Sequence, residues 1–510
     1  MMDLEKELYR WFGYSTFRSG QKEIVAALME NEDVLAVLPT GMGKSICYQL
    51  PALLKKGVTI IVSPLLSLME DQVQQLRSIG IKQVVAINSF MNHLEREEVF
   101  RSLSTYKLIY TSPEMLQSDY VLHKLRKLQI SLFIVDEAHC ISQWGHEFRS
   151  DYLRLAQVRE KLSNPPCLAI TATATPYVQK DICSYLQMSQ PKSFIHSVNR
   201  PNIAVQVEQY LSTEEKMERL LELTSKLKGP GMVYFSSRLW SEAAARKLQE
   251  RGIQGVNFYH GGMTNDDRLL IQQQFMQGEL SIICCTSAFG MGINKDNIRY
   301  VIHFHYPTQM ESYVQEIGRA GRDGEKSIAI TLFSEEDRGL ARLLSKREQL
   351  DNEQIVQLLL ALSQMEEMDE KAETELCAKL GCSETAWKNV KVSLEEMNVL
   401  KGTMVQRFSI DAVSTMLADS FLKYQINKQK HLSQFETWMH SKTCRRNGVL
   451  DYFEEEEKQI QTENCCDICG LTLETYYLKE QLHHYNQHDA KNWQEELSIR
   501  LFGKTGELYE

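Results

Sequence analysis

The sequence predicts an α/β protein: two parallel β-sheets in tandem, each covered by helices, followed by a mostly helical accessory region with a zinc-binding module. Three observations predict it. Short apolar runs rich in β-branched residues alternate with helical segments from Val34 onward. The alternation restarts once, after Pro201. From about residue 340 the runs disappear, and the chain turns polar and helical before a cluster of cysteines.

The chain has 510 residues, which at roughly 100–200 residues per domain is enough for about three domains. A hydrophobic share of 43% with 24% charged residues is a globular profile, neither disordered nor fibrous. The net charge of −10 counts at first against a nucleic-acid partner. Its distribution reverses that reading. Residues 1–200 hold 22 basic and 20 acidic side chains, residues 201–340 hold 15 and 18, and residues 341–510 hold 20 and 29. The acidity lies in the last third. No apolar run approaches the ~20 residues of a membrane helix. The stretch Met1–Glu7 is charged and lacks the apolar core of a signal peptide. The expected location is the cytoplasm, in association with the nucleoid, with no membrane partner.

The first set of strands is expected at Val34–Leu38, Val58–Val62, Val84–Ile87, Leu108–Tyr110, Leu132–Val135 and Leu168–Ile170. All are apolar on both faces, as in a parallel sheet buried on two sides. The second set is Met232–Phe235, Val256–Tyr259, Ile282–Cys285, Tyr300–Phe304 and Ile328–Phe333. Domains are therefore expected at 1–200 and 201–340, joined at Asn199-Arg200-Pro201-Asn202. A helical, winged-helix-like segment is expected at 341–410, with Thr374–Leu380 and Ala386–Leu400 as helix–turn–helix. A zinc module at 411–480 and a C-terminal helix and tail at 481–510 complete the chain.

The chemistry begins at Leu38-Pro39-Thr40-Gly41-Met42-Gly43-Lys44-Ser45, between the first strand and a helix. The strict phosphate-loop pattern has Gly where Leu38 stands, but the working parts are present. Gly41 and Gly43 let backbone N–H groups converge on an anion, and the helix behind them adds its positive end. Lys44 can reach β and γ phosphates, and Ser45 can offer a hydroxyl to Mg²⁺. Asp136-Glu137-Ala138-His139 ends the strand Leu132–Val135, where α/β sheets place ligands. Asp136 is placed to hold Mg²⁺, and Glu137 to orient and deprotonate an attacking water.

With these two motifs in this order, the chain resembles a superfamily 2 helicase, and within that group a RecQ-family DNA helicase. The resemblance covers residues 1 to about 340 almost continuously. It implies two RecA-like domains. Phe12-Gly13-Tyr14 with Phe17–Gln21 resembles the adenine-reading motif, in which Tyr14 stacks on the base while Arg18 and Gln21 contact it. Val62–Leu68, with Ser63 and Pro64, and Tyr110–Glu114, with Ser112 and Pro113, resemble motifs that hold a DNA backbone. Thr171–Thr175 resembles the motif coupling hydrolysis to domain movement. Phe289–Asn294, with Gly292, resembles the motif linking nucleotide state to strand grip. Gln315–Arg322 supplies Arg319 and Arg322, expected on one helix face to neutralise a departing γ-phosphate, and the resemblance implies Arg322 as the finger.

Cys140–Arg149 resembles the aromatic-rich loop of this family, which senses single-stranded DNA. Gln143, Trp144, His146, Phe148 and Arg149 crowd flat and cationic groups there. Cys444, Cys465, Cys466 and Cys469 read as a structural zinc site. The family places one Cys on a helix before C-x-x-C-x-x-C. Here position 463 is Glu and the additional Cys is 465, so Cys465 or a histidine, His483 or His484, completes the set. The other eight cysteines are scattered in the manner of reduced thiols. An excess of Lys423, Lys428, Lys430, Lys442, Arg445 and Arg446 over Glu436 alone marks either a duplex-backbone surface or a solvated helix face. Trp493–Phe502 reads as a last amphipathic helix, and the short C-terminal tail resembles RecQ paralogues of the RecS type.

The resemblance implies an ATP- and Mg²⁺-dependent 3′→5′ DNA helicase that also carries Zn²⁺. It would be monomeric, would act on single-stranded and partly duplex DNA, and would work beside single-strand-binding or repair proteins. The competing readings are a duplex translocase that hydrolyses ATP without separating strands, and a junction-binding protein with a vestigial ATPase.

Overall fold

The computed structural model describes residues 3–88, 91–142, 148–290, 295–339, 350–455 and 464–478. Its first sheet has seven parallel strands: β1 Val34–Val37, β2 Val58–Val62, β3 Val84–Ile87, β4 Leu108–Thr111, β5 Ile130–Asp136, β6 Cys167–Thr171 and β7 Lys192–Ile195. Their order is β3-β4-β2-β5-β6-β1-β7. The second sheet has six: β8 Ile203–Tyr210, β9 Gly231–Tyr234, β10 Val256–Tyr259, β11 Ile282–Cys285, β12 Tyr300–His303 and β13 Ser327–Ser334, in the order β10-β11-β9-β12-β13-β8. Each sheet separates two apolar cores. Ile60, Phe133 and Val135 face one side of the first sheet, and Ile61, Ile134 and Ile170 face the other. These are tandem RecA-like domains.

Two strands lie outside the eleven apolar runs. Both are edge strands. β7 (Lys-Ser-Phe-Ile) is largely exposed, and β8 is buried only in its first three residues. An edge strand needs only one apolar flank, so it escapes a search for runs apolar on both faces.

Beyond the second sheet, helices Asn352–Ser363, Glu370–Leu380 and Glu384–Glu396 and a short hairpin, β14 Leu400–Lys401 with β15 Met404–Val405, enclose their own core around Leu358, Trp387, Val390 and Leu394. The last of these helices ends at Glu396, because Asn398 is left-handed (φ 56°) and Leu400 pairs in the hairpin. The long helix Ile410–His440 joins two bodies. Val413, Leu417 and Phe421 pack in that core, while Leu432, Phe435 and Trp438 pack in the second domain's core. The cysteine module shares that core through Cys444, Val449, Leu450, Phe453, Cys465 and Cys466. Among the described residues, no helix is long and apolar enough to cross a membrane.

Candidate active site

The phosphate loop leaves β1 and turns at two left-handed glycines, Gly41 (φ 89°) and Gly43 (φ 71°), before the helix Ile46–Leu54. Side chains disfavour both conformations, so glycine stands at both turns. Lys44 Nζ donates to Glu137 Oε1 at 3.1 Å. Glu137 follows directly on β5 and is itself left-handed (φ 47°, ψ 49°), a conformation that a non-glycine residue holds only under constraint. That turn aims its carboxylate across the loop. The other Glu137 oxygen lies 3.5 Å from His139 Nδ1, and His139 Nδ1 shares a 2.8 Å hydrogen bond with Thr171 Oγ1. The acidic pair is thus tied to the Thr171–Thr175 segment.

Asp136 accepts from the Glu137 backbone N–H at 2.9 Å. Burial first, and then the Glu137 charge, push its carboxyl up to about 6, against the opposing pull of Lys44. Holding a cation, the role expected of Asp136 with Ser45, would need the ionised form. The ionised fraction of the free protein therefore falls as pH drops through about 6, and the apparent hydrolysis rate kcat/KM is expected to fall with it along a single-proton acid limb. A profile flat from pH 5 to 7 would remove Asp136 from that role.

Gln21 and Arg18 are turned toward the phosphate loop itself. Gln21 Nε2 donates to the carbonyls of Met42 (2.8 Å) and Gly43 (2.9 Å), and its Oε1 accepts from the Arg18 backbone at 2.9 Å. The Arg18 guanidinium donates to the Gly41 carbonyl. Tyr14 is 57% exposed beside them, open to a planar ligand.

Arg319 and Arg322 are not on a helix face. The helix Met310–Ile317 stops at Gly318, Gly321 is left-handed (φ 55°), and the two arginines occupy the turn. This separates them. Arg319 is buried and donates to the Gly290 carbonyl within its own domain. Arg322 packs its stem against Gly41, whose Cβ, if present, would meet Arg322 Cγ at 3.2 Å. Burial first, and then the neighbouring charges of Arg319 and Arg200, push the Arg322 guanidinium down to about 10. Such a convergence of positive charge beside a phosphate loop suits a polyphosphate anion. Thr40 closes the cleft from the other side, its hydroxyl donating to Gly318 O at 2.8 Å.

Arg200 gave no signal in the sequence beyond preceding a proline. Its guanidinium donates to Thr40 O (2.9 Å), Gly318 O (3.0 Å), Ala320 O (3.1 Å) and Gly321 O (2.7 Å), bridging both domains.

The expected DNA-contacting residues lie at the ends of β2 and β4. Ser63, Pro64, Ser112 and Pro113 are buried there, and Ser63 N donates to Thr111 O at 3.0 Å. Arg149 Nη1 donates to Pro64 O at 2.7 Å and lies 4.0 Å from Glu114, so it joins the two strand ends. The base of the aromatic-rich loop is pinned by Arg149 N donating to Cys140 O at 2.9 Å, with Phe148 half-buried beside it. Gln143, Trp144, His146 and Gly292 lie outside the described residues, as do His483 and His484.

The four late cysteines come together, with every Sγ within 4.8 Å of the others. Cys444 Sγ is 3.7 Å from Cys465 Sγ and 4.0 Å from Cys466 Sγ. A tetrahedron of sulfurs about 2.3 Å from zinc has edges of about 3.8 Å, so the set fits zinc without a histidine. The Cys466 thiol is pulled down to about 5, first by a hydrogen bond from Cys465 and then, after the opposing effect of burial, by the Arg445 backbone N–H. The neighbouring thiols Cys465 and Cys469 are pushed up instead. Arg445 and Arg446 are not a DNA-facing surface. Both are buried, Arg445 on Asp467 (2.9 Å) and Arg446 on Cys465 Sγ (3.2 Å), because they form the first turn of the helix Arg445–Tyr452, which begins at the cysteine cluster.

Comparison with known proteins agrees with this geometry. The DEAD/DEAH box helicase pattern matches residues 18–182, the helicase conserved C-terminal domain 215–324, and the RecQ zinc-binding pattern 408–470. A probable ATP-dependent DNA helicase RecS of Bacillus subtilis (strain 168) is 42% identical over 481 residues, covering 94% of both chains. The chain belongs to the RecQ family of helicases. Its RecQ-family relatives include the ATP-dependent DNA helicase RecQ of Pasteurella multocida (strain Pm70), 38% identical over 73% of this chain but only 58% of that protein. The chain therefore spans nearly all of the RecS relative and less than two-thirds of the RecQ one. Among solved structures, the DUF1998 helicase MrfA bound to DNA aligns at a TM-score of 0.56 with 22% identity, over 65% of this chain and 50% of that one. Mycobacterium smegmatis helicase Lhr bound to ssDNA and AMP-PNP aligns at 0.55 with 21% identity, over 74% and 55%. At that identity these two establish the fold shared by the RecQ-family chain.

Proposed function

We propose that this RecQ-family chain is an ATP-dependent DNA helicase that moves 3′→5′ along single-stranded DNA, separates the duplex ahead of it, and serves DNA repair, recombination or replication. The observation that carries the reading is the cleft itself: Lys44 and Glu137 3.1 Å apart on one domain, with Arg322 packed on Gly41 from the other. Lys44 holds the β and γ phosphates, Glu137 takes the proton of the attacking water, and Arg322 meets the charge that develops on the departing phosphoryl group. Ser45 and Asp136 would hold Mg²⁺, which neutralises charge on the phosphates. Tyr14 would stack on adenine, with Arg18 and Gln21 exchanging loop carbonyls for the base edge.

Strand ends carrying Ser63, Pro64, Ser112 and Pro113, joined by Arg149, support contact with one DNA strand. Trp144, His146 and Phe148 would stack on its bases. We place the boundaries of the functional units at 1–200, 201–340, 341–410 and 411–480, and place the protein in the cytoplasm with the nucleoid. Strand displacement on duplexes with 3′ or 5′ tails, against RNA controls, is the test. Unwinding of 3′-tailed DNA alone is expected. DNA-stimulated hydrolysis without displacement would establish the duplex translocase instead, and displacement from 5′ tails would reverse the polarity.

A further inference from the structure

The segment joining the two RecA-like domains is held by the cysteine module rather than left free. Glu455 Oε1 accepts from Val198 N at 2.8 Å. Arg446, whose Nε donates to Cys465 Sγ at 3.2 Å, spends its other N–H groups on Asn199 Oδ1 (2.6 Å), Arg200 O (2.8 Å) and Ile203 O (3.0 Å). The cysteine module also pairs with β8, Val205 N donating to Cys465 O at 3.2 Å. On the far side of the same residue, the Arg200 guanidinium reaches one phosphate-loop carbonyl and three carbonyls of the arginine turn.

A planar fork that satisfies four carbonyls fixes their relative positions in a way a single point charge cannot. Its main chain is fixed in turn by a second buried fork, Arg446. The contacts are continuous from a cysteine Sγ to the loop that cradles phosphate.

We infer that Arg446 and Arg200 form a relay by which the cysteine module sets the register of the phosphate loop against the Arg319–Arg322 turn, making Arg200 a positioning residue for nucleotide hydrolysis. The kinetic arm of the test rests on the hydrolysis reading above, and the exchange arm does not. Both use the full chain.

In kinetics, Arg200→Ala is expected to lower kcat by about 10- to 100-fold, the scale on which misplaced groups act, with KM for ATP changed much less. Arg200→Lys, which keeps charge but loses the fork, should fall between Ala and wild type. Arg446→Gln should lower kcat while one zinc per chain is retained. The double variant should be no worse than Arg200→Ala alone, since both cut one chain of contacts. Wild-type kcat in Arg200→Ala, or multiplicative losses in the double variant, would overturn the relay.

In hydrogen exchange, Arg446→Gln, or removal of zinc by a chelator, should speed exchange in the phosphate-loop peptide 38–45, remote from the substitution. Faster exchange confined to residues 441–478 would overturn it. A wild-type protein that hydrolyses no ATP, but shows the remote exchange, would refute the hydrolysis reading and leave the relay standing.

Discussion

Glu137→Gln is expected to reduce DNA-stimulated ATP hydrolysis by at least ~10²-fold while nucleotide and DNA binding persist. The substitution is isosteric and leaves an oxygen for Lys44 Nζ, which is 3.1 Å away in the native protein. The left-handed backbone at this position (φ 47°) asks no more of Gln than of Glu. What disappears is the group proposed to accept the proton of the attacking water. Asp136 is engaged elsewhere: it accepts from the Glu137 backbone N–H at 2.9 Å. Equilibrium binding of a non-hydrolysable ATP analogue and single-turnover hydrolysis measure the two halves of the claim. Turnover within about threefold of wild type would withdraw Glu137 as the base. Loss of nucleotide binding would instead show that the carboxylate's charge organises the loop through Lys44.

The central strands were legible because parallel strands buried on both faces are mostly apolar: β1 is apolar throughout, and β2 and β5 depart from that only at Thr59, Ser131 and the terminal Asp136. β7 and β8 do not follow that pattern, being edge strands, β7 largely exposed and β8 buried only in its first three residues. The two motifs of the candidate site were legible for a different reason. A phosphate loop needs glycine where φ is positive, and an acidic pair needs a strand end, so spacing alone exposes Gly41, Gly43, Asp136 and Glu137.

Residues acting over long separations were not legible. Arg200 and Thr40 lie 160 positions apart. Arg445 and Arg446 read as a basic surface patch because the sequence does not show that Asp467, Cys465 and linker carbonyls surround them. Arg319 and Arg322 have helical spacing, but Gly318 and Gly321 end the helix, and that break sends one arginine to Gly290 and the other to Gly41. The tertiary structure thus tells apart two arginines that spacing treats alike.

Cys466→Ser is the substitution expected to cost the most stability. Cys466 is fully buried, forms the β-bridge to Val205 of β8, and belongs to the cluster whose sulfurs fit a zinc tetrahedron. A serine there cannot complete four thiolates, and structural zinc contributes about 10–16 kcal/mol of apparent binding free energy in small zinc peptides. Here part of that loss is offset, because Leu432, Phe435, Trp438 and Leu450 stay attached to the second domain's core. A net loss on the order of 3 kcal/mol should lower the melting midpoint by about 10 °C. Cys183→Ser and Cys382→Ser, partly exposed and outside the cluster, should each change stability by less than about 1 kcal/mol. Melting of the purified protein with and without a strong chelator supplies the decisive comparison. If zinc carries the effect, chelated wild type and untreated Cys466→Ser melt together, and the chelator does nothing further to the variant. If chelation leaves wild type unchanged while the variant melts early, buried sulfur packing rather than metal holds the module to β8.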